Sequence, residues 1–253
     1  MTRWLIVRML PALGALVLLM LLANGLVTAQ DAKTTAATAK NTKDLTIQTE
    51  HYNTKQIGKD TYRSTLTDAQ VRQEDATFSA KNIIIDSVKN VHTFTCTGNP
   101  VFTDTETRIT STKVVGQSSP RQAEFTGNVK MVTTPKKKEA SGDLGDQLLG
   151  EPTTVTCNSL SYDYGKKLGH ARGSVVVQQK NRTLWADSGL YDQGARLITM
   201  SGNIRMQNQG EEAVKSMKNA DKLTVSLQED WVDIVAKQGE RVEFQLEVDD
   251  TAD

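Results

Sequence analysis

The chain has 253 residues, 38% of them hydrophobic and only 5% aromatic, and its 30 basic side chains balance 30 acidic ones. That neutral total, with no basic face along any periodic segment, argues against nucleic acid as a partner. Two cysteines, Cys96 and Cys157, are compatible with one bridge in an oxidising compartment or with two small buried hydrophobes.

The N-terminus reads as an export segment. Arg3 and Arg8 give a basic start, an apolar run follows from Met9 to Val27, and Val27-Thr28-Ala29 offers a signal-peptidase site, so residues 1–29 are expected to be removed. The competing reading is a retained membrane anchor, because the run approaches the length that crosses a bilayer. No cysteine lies near the cut, which excludes a lipoprotein anchor there. Removing residues 1–29 leaves about 220 residues, enough for one large domain.

Residues 30–44 are polar and rich in Ala, Thr and Lys, the composition of a flexible linker. A first strand is expected at Leu45-Thr46-Ile47, whereas Lys55 to Asp75 is too polar to assign. From Phe78 the chain repeats itself. Aligning Gly173 with Gly202 superposes Val155–Gln179 on Leu184–Asn208 without a gap. Further copies run from Phe78 to Asp104 and from Ile109 to Val132, and a degenerate one from Ala220 to near Val248. A fixed period marks a stacked architecture in which each unit buries its apolar face against its neighbours.

Within each copy the period is two, the signal of a strand with one buried face. In the second arm the inward parity carries Phe94, Cys96 and Phe102; Ala123, Phe125, Val129 and Met131; Ala171, Val175 and Val177; and Ile198, Met200, Ile204 and Met206. The first arm changes parity part-way, at Lys81, Asn158, Asp187 and Asp221, where a bulge would keep the apolar side chains on one face. Gly98, Gly127, Gly173 and Gly202 recur inside strands, either as a shared bulge or bend or as room for a ligand on the inner face; the bend is the preferred reading. The insertion at 133–154, with Lys136-Lys137-Lys138, reads as an exposed loop, and residues 249–253 form an acidic tail.

Catalytic and metal chemistry leave no mark. His51, His92 and His170 fall in unlike settings, none has a second ligand at metal spacing, and no phosphate-binding glycine loop precedes a helix. The aspartates that recur with the period read as structural, since an active site needs one copy. No enzyme, cofactor or metal is expected.

The repeated phrase Trp185-Ala186-Asp187, Leu190-Tyr191-Asp192 and Gly202-Asn203-Ile204, with Gly127-Asn128-Val129, resembles the OstA-like repeat of the periplasmic lipopolysaccharide-transport family, shared by LptA, LptC and the N-terminal domain of LptD. The resemblance covers about Phe78 to Val248, within an expected repeat domain at 45–248. It implies an all-β fold of stacked antiparallel repeats, an open V-shaped β-jellyroll whose apolar groove holds the acyl chains of lipid A. It also implies a periplasmic location and end-to-end stacking, with copies of itself or with other bridge components, through edge strands. The long insertion and Pro100 after Gly98-Asn99 depart from the LptA pattern, and a retained N-terminal run would match the anchor of LptC.

On that reading the lipid-binding row is Phe94, Phe125, Val129, Met131, Val175, Val177, Ile198, Met200, Ile204 and Met206. The competing expectation is a closed β-solenoid with a dry core, used for scaffolding or protein binding, in which the same residues are ordinary packing.

Overall fold

Strands alternating inward apolar with outward polar residues pair only antiparallel wherever a register is resolved in a computed structural model of the chain. It describes residues 45–73, 76–88, 91–105, 107–134, 151–163, 166–192, 194–195, 197–209, 214–226 and 231–246. The export segment, the linker, residues 135–150 of the insertion with its lysines, and the acidic tail lie outside these residues. All sixteen elements among the described residues are strands, so the fold is all-β.

The chain divides into two compact units, the first comprising residues 1–127 with 163–165 and the second residues 128–162 and 166–253. The first holds β1 (Leu45–Gln48), β2 (His51–Gly58), β3 (Thr61–Gln73), β4 (Ala76–Val88), β5 (Val91–Thr97), β6 (Val101–Thr103), β7 (Thr107–Thr110), β8 (Lys113–Ser118) and the start of β9 (Arg121–Thr133). Its strands run in the order β1-β3-β4-β5-β8-β9, with β2 on β3, β6 on β4 and β7 on β6. Pro100, which has no N–H to give a ladder, stands in the break between β5 and β6. The unassigned stretch from Lys55 is strand after all. Its inward positions in β3 include the small residues Ser64 and Ala69, both buried, which hid the alternation.

The second unit holds the end of β9, then β10 (Thr153–Asp163), β11 (Leu168–Gln179), β12 (Arg182–Asp192), β13 (Leu197–Asn208), β14 (Val214–Ser226), β15 (Val232–Ala236) and β16 (Glu243–Leu246). The order is β10-β11-β12-β13-β14-β15, and β16 pairs the other half of β14. The last copy therefore starts at Val214, six positions before the Ala220 expected from sequence.

The repeated glycines are bulges. Between β11 and β12 the register runs Arg172↔Ser188 and then Val175↔Ala186, so Gly173 and Ser174 together face Asp187 alone. Both residues of each pair have positive φ; in Gly202-Asn203 the values are 76° and 49°. A Cβ on Gly202 would lie 2.4 Å from Asp187 Oδ2, and one on Gly173 would lie 2.5 Å from Asn158 Nδ2. Both facing residues are exposed, so glycine is required by crowding on the outer face, and the alternative of ligand room on the inner face is not what the backbone shows. The extra residue sits on the glycine arm, and the Asp or Asn where sequence placed the bulge is the single residue opposite it. Asn203 Nδ2 donates to Asp187 Oδ2 at 2.8 Å, and Lys237 Nζ donates to Asn203 Oδ1 at 2.9 Å, which ties the turn after β15 to the bulge.

Candidate functional site

The ten inward residues singled out from sequence divide by unit and by exposure. In the first unit, register aligns Leu66, Ile83, Cys96, Val114 and Phe125 in one cross-strand row, and every member is at most 4% exposed. Val71, Phe78, Phe102 and Ile109 make a second sealed row at the other end of the strands. Phe94 is equally buried, and its ring fills the space a side chain at Gly116 would need: a Cβ there would lie 2.0 Å from Phe94 Cζ. Phe94 and Phe125 thus sit in a close-packed, buried core.

The second unit is built on the same parity but is open at its margins. Its middle rows are sealed: Ala171, Gly189, Met200 and Leu223 in one, Val175 and Ala186 in the next, with Ile204 and Ala220 beside them. Val129, on the part of β9 in this unit, is buried as well. On one side of that middle lies the row Val177, Leu184, Met206, Met217 and Phe244. Here Val177, Leu184 and Met206 are half-buried, Met217 is covered, and Phe244 at the end of the row is 50% exposed. On the other side Tyr191, Ile198, Val225 and Val232 form a row whose first two members are half-buried and whose last is exposed. Met131 on β9 is half-buried too. So Met131, Val177, Ile198 and Met206 keep part of their surface exposed, while Val129, Val175, Met200 and Ile204 are buried. Met200 lies over a glycine, its Sδ 2.9 Å from where a Cβ on Gly189 would stand.

Beyond the Leu184–Met206 pair, on the same parity, the side chains change character. Gln179, Arg182 and Asn208 are aligned by register, and Gln179 Nε2 donates to Thr153 Oγ1 at 2.8 Å. Sequence reasoning passed over this row because polar residues next to a hairpin turn read as a strand end.

Among the titratable groups, burial shifts the pKa values of His92, His170, Cys96 and Cys157. His92 is 3% exposed, its Nδ1 stands 2.9 Å from Ser87 Oγ, and burial holds its pKa below the ordinary value. The spacing would suit a nucleophile and base, but both side chains are sealed from substrate. Arg172 Nε donates to His170 Nδ1 at 3.1 Å on the outer face. Cys96 and Cys157 are both free and buried, and burial raises each thiol's pKa, so neither is an activated nucleophile. Among the described residues no group of three or more His, Cys, Asp or Glu side chains is placed to hold a metal.

No family profile and no curated protein matches the chain. Among solved structures it is similar to the crystal structure of LptH, the LptA homologous periplasmic component of the lipopolysaccharide transport device of Pseudomonas aeruginosa, at 11% identity and a TM-score of 0.35, over 77% of this chain and 96% of that one.

Proposed function

We propose that this chain is an exported periplasmic carrier of lipopolysaccharide. It holds the acyl chains of lipid A against the partly open apolar rows of its second unit and bridges the two membranes by stacking end to end. The observation that carries this reading is the contrast between the units: one parity pattern gives a sealed core around Phe94 and Phe125, and half-exposed rows around Leu184, Met206, Tyr191 and Ile198. Apolar rows left partly in water are stabilised when an apolar ligand covers them. Burial of a methylene contributes about 0.8 kcal/mol, so a half-covered 12-carbon chain gains roughly 5 kcal/mol, near the low end of what association costs. That arithmetic favours a lipid with several acyl chains over one with a single chain. Stacking is supported by the free edges. β2 pairs β3 alone among the described strands and is exposed along its whole length, and β16 pairs β14 alone.

The test is photo-crosslinking with benzoylphenylalanine placed at single positions. Labelling of lipopolysaccharide from Met206 and Ile198, and none from the sealed Phe94 or the outward Arg205, is the expected result. Labelling from Arg205 alone would sink the reading. A second reading, a structural module with a dry core, is favoured by the first unit taken by itself, where Phe78, Phe94 and Phe102 are each at most 2% exposed. It requires that no position in the second unit label lipid.

A further inference from the structure

Sulfur chemistry is distributed unevenly over the chain. Cys96 and Cys157 are buried free thiols whose pKa burial raises, and it is the thiolate that reacts. A thioether needs no ionisation, so access governs its oxidation. Of the seven methionines, Met1, Met9 and Met20 lie in the export segment, and Met131, Met200, Met206 and Met217 lie on strands of the second unit. The described residues of the first unit contain none. The methionines of the second unit are graded in exposure: Met217 is 3% exposed and Met200 6%, whereas Met131 and Met206 are half-buried. Register fixes Met206 between Leu184 on β12 and Met217 on β14, in the middle of the row that runs from Val177 to Phe244. The half-open row thus carries at its centre a side chain that an oxidant converts from apolar to polar.

We propose that Met206 is an oxidation site through which a hydroperoxide lowers the affinity of this chain for apolar ligands. The inference rests on the carrier reading and deepens it by naming a control on that same row. The sulfur lone pair attacks one oxygen of hydrogen peroxide, the S–O bond forms and the O–O bond breaks. The departing hydroxide takes up the proton of the transferred hydroxyl and leaves as water. Sulfur gives up two electrons and the peroxide gains them. The sulfoxide oxygen is an acceptor, and its cross-strand neighbours Leu184 and Met217 have no side-chain donor to offer it. Water answers it instead, and water held in the row is what an apolar ligand must displace on binding. Met200 and Met217 are covered by their surroundings, so Met206 and Met131 take the oxidant first.

The experiment treats the full-length mature protein with hydrogen peroxide and locates sulfoxide by peptide mass spectrometry. Affinity for N-phenyl-1-naphthylamine, a neutral apolar dye, is measured before and after. Met206 and Met131 are expected to be oxidised several times faster than Met200 and Met217. Dye affinity should fall about tenfold, a loss of about 1.4 kcal/mol, with the circular dichroism of the strands unchanged. Each variant is compared with itself: treated and untreated Met206→Leu should differ by no more than about twofold, whereas Met131→Leu should keep most of the fall. Should Met206→Leu fold poorly, Met206→Gln places a polar side chain of similar length there without oxidant. Untreated, it should bind the dye about as weakly as the treated wild type. Oxidation of Met206 with dye affinity unchanged, or an equal fall in Met206→Leu, overturns the inference and leaves the carrier reading standing. Oxidation of Met200 or Met217 ahead of Met206 overturns it as well. An untreated wild type that binds no dye overturns the carrier reading, and the inference falls with it.

Discussion

Leu184 on β12 lies directly across from Met206 on β13, and both are half-buried, whereas the Val114–Phe125 pair on the same parity in the first unit is sealed to within 4% of full burial. Inward parity is thus shared by two kinds of surface, and exposure separates residues that hold the fold from residues that can meet a ligand.

Met206→Asp should remove lipid without unfolding the protein. A half-exposed side chain tolerates a polar replacement at a cost of about 1 kcal/mol, while a carboxylate beside acyl chains is excluded from them. We expect bound lipid, measured by mass spectrometry of extracts, to fall at least tenfold, with thermal unfolding shifted by only a few degrees.

Phe94→Ala should do the reverse. Emptying a sealed phenylalanine site costs about 3–5 kcal/mol, read as a lower midpoint in urea, and lipid labelling from Met206 in the protein that remains folded should persist. Gly116→Ala attacks the same contact from the other side. Its Cβ would meet the Phe94 ring at 2.0 Å, so we expect it to destabilise by about 1–3 kcal/mol, and Phe94→Leu to recover part of that loss in the double variant.

At the bulge, Gly202→Ala combines a left-handed φ of 76° with a Cβ 2.4 Å from Asp187 Oδ2. The conformational part alone costs roughly 1–2 kcal/mol. Asp187→Ala should remove the 2.4 Å contact with Oδ2 and leave a 2.9 Å contact with its Cβ and the φ penalty, so the double variant is expected to be more stable than Gly202→Ala alone and less stable than Asp187→Ala alone. Equal stability of Gly202→Ala and wild type by urea titration would contradict the bulge assignment.

The chain should weaken in mild acid. Burial lowers the pKa of His92 below its ordinary 6.5, and burial with the charge of Arg172 lowers that of His170. As pH falls through 6.5 the unfolded chain binds protons first, so this contribution to stability is present above 6.5 and is lost progressively below it. His92→Gln should flatten the loss between pH 7.5 and pH 5.5. A fall as steep as that of the wild type would remove His92 from the explanation.

The strands were legible because alternation survives wherever the inward residue is large, as in Ile198, Met200, Ile204 and Met206. It failed in β3, where Ser64 and Ala69 take inward positions. The glycine copies announced a shared irregularity, but which strand carried the extra residue depended on pairing partners, and sequence does not name them. The ten-residue row was legible as a face and not as a site. Phe125 and Met206 obey the same parity, and only packing around each decides that one is sealed and the other half-open. The Gln179–Arg182–Asn208 alignment was hidden for the same reason, since it brings together three strands whose registers are set by bulges. The contact between Ser87 and His92 forms between paired residues of β4 and β5, and no motif announces it.

The most direct measurement is the lipid content of the mature protein purified without detergent from its own envelope, by solvent extraction and mass spectrometry, beside Met206→Asp prepared in the same way. A carrier should bring down an acyl-bearing lipid at close to one molecule per chain, and the variant should bring down almost none. A folded wild-type protein free of lipid, or equal lipid in both preparations, would contradict the assignment of the half-open rows of the second unit as the place where lipid is held.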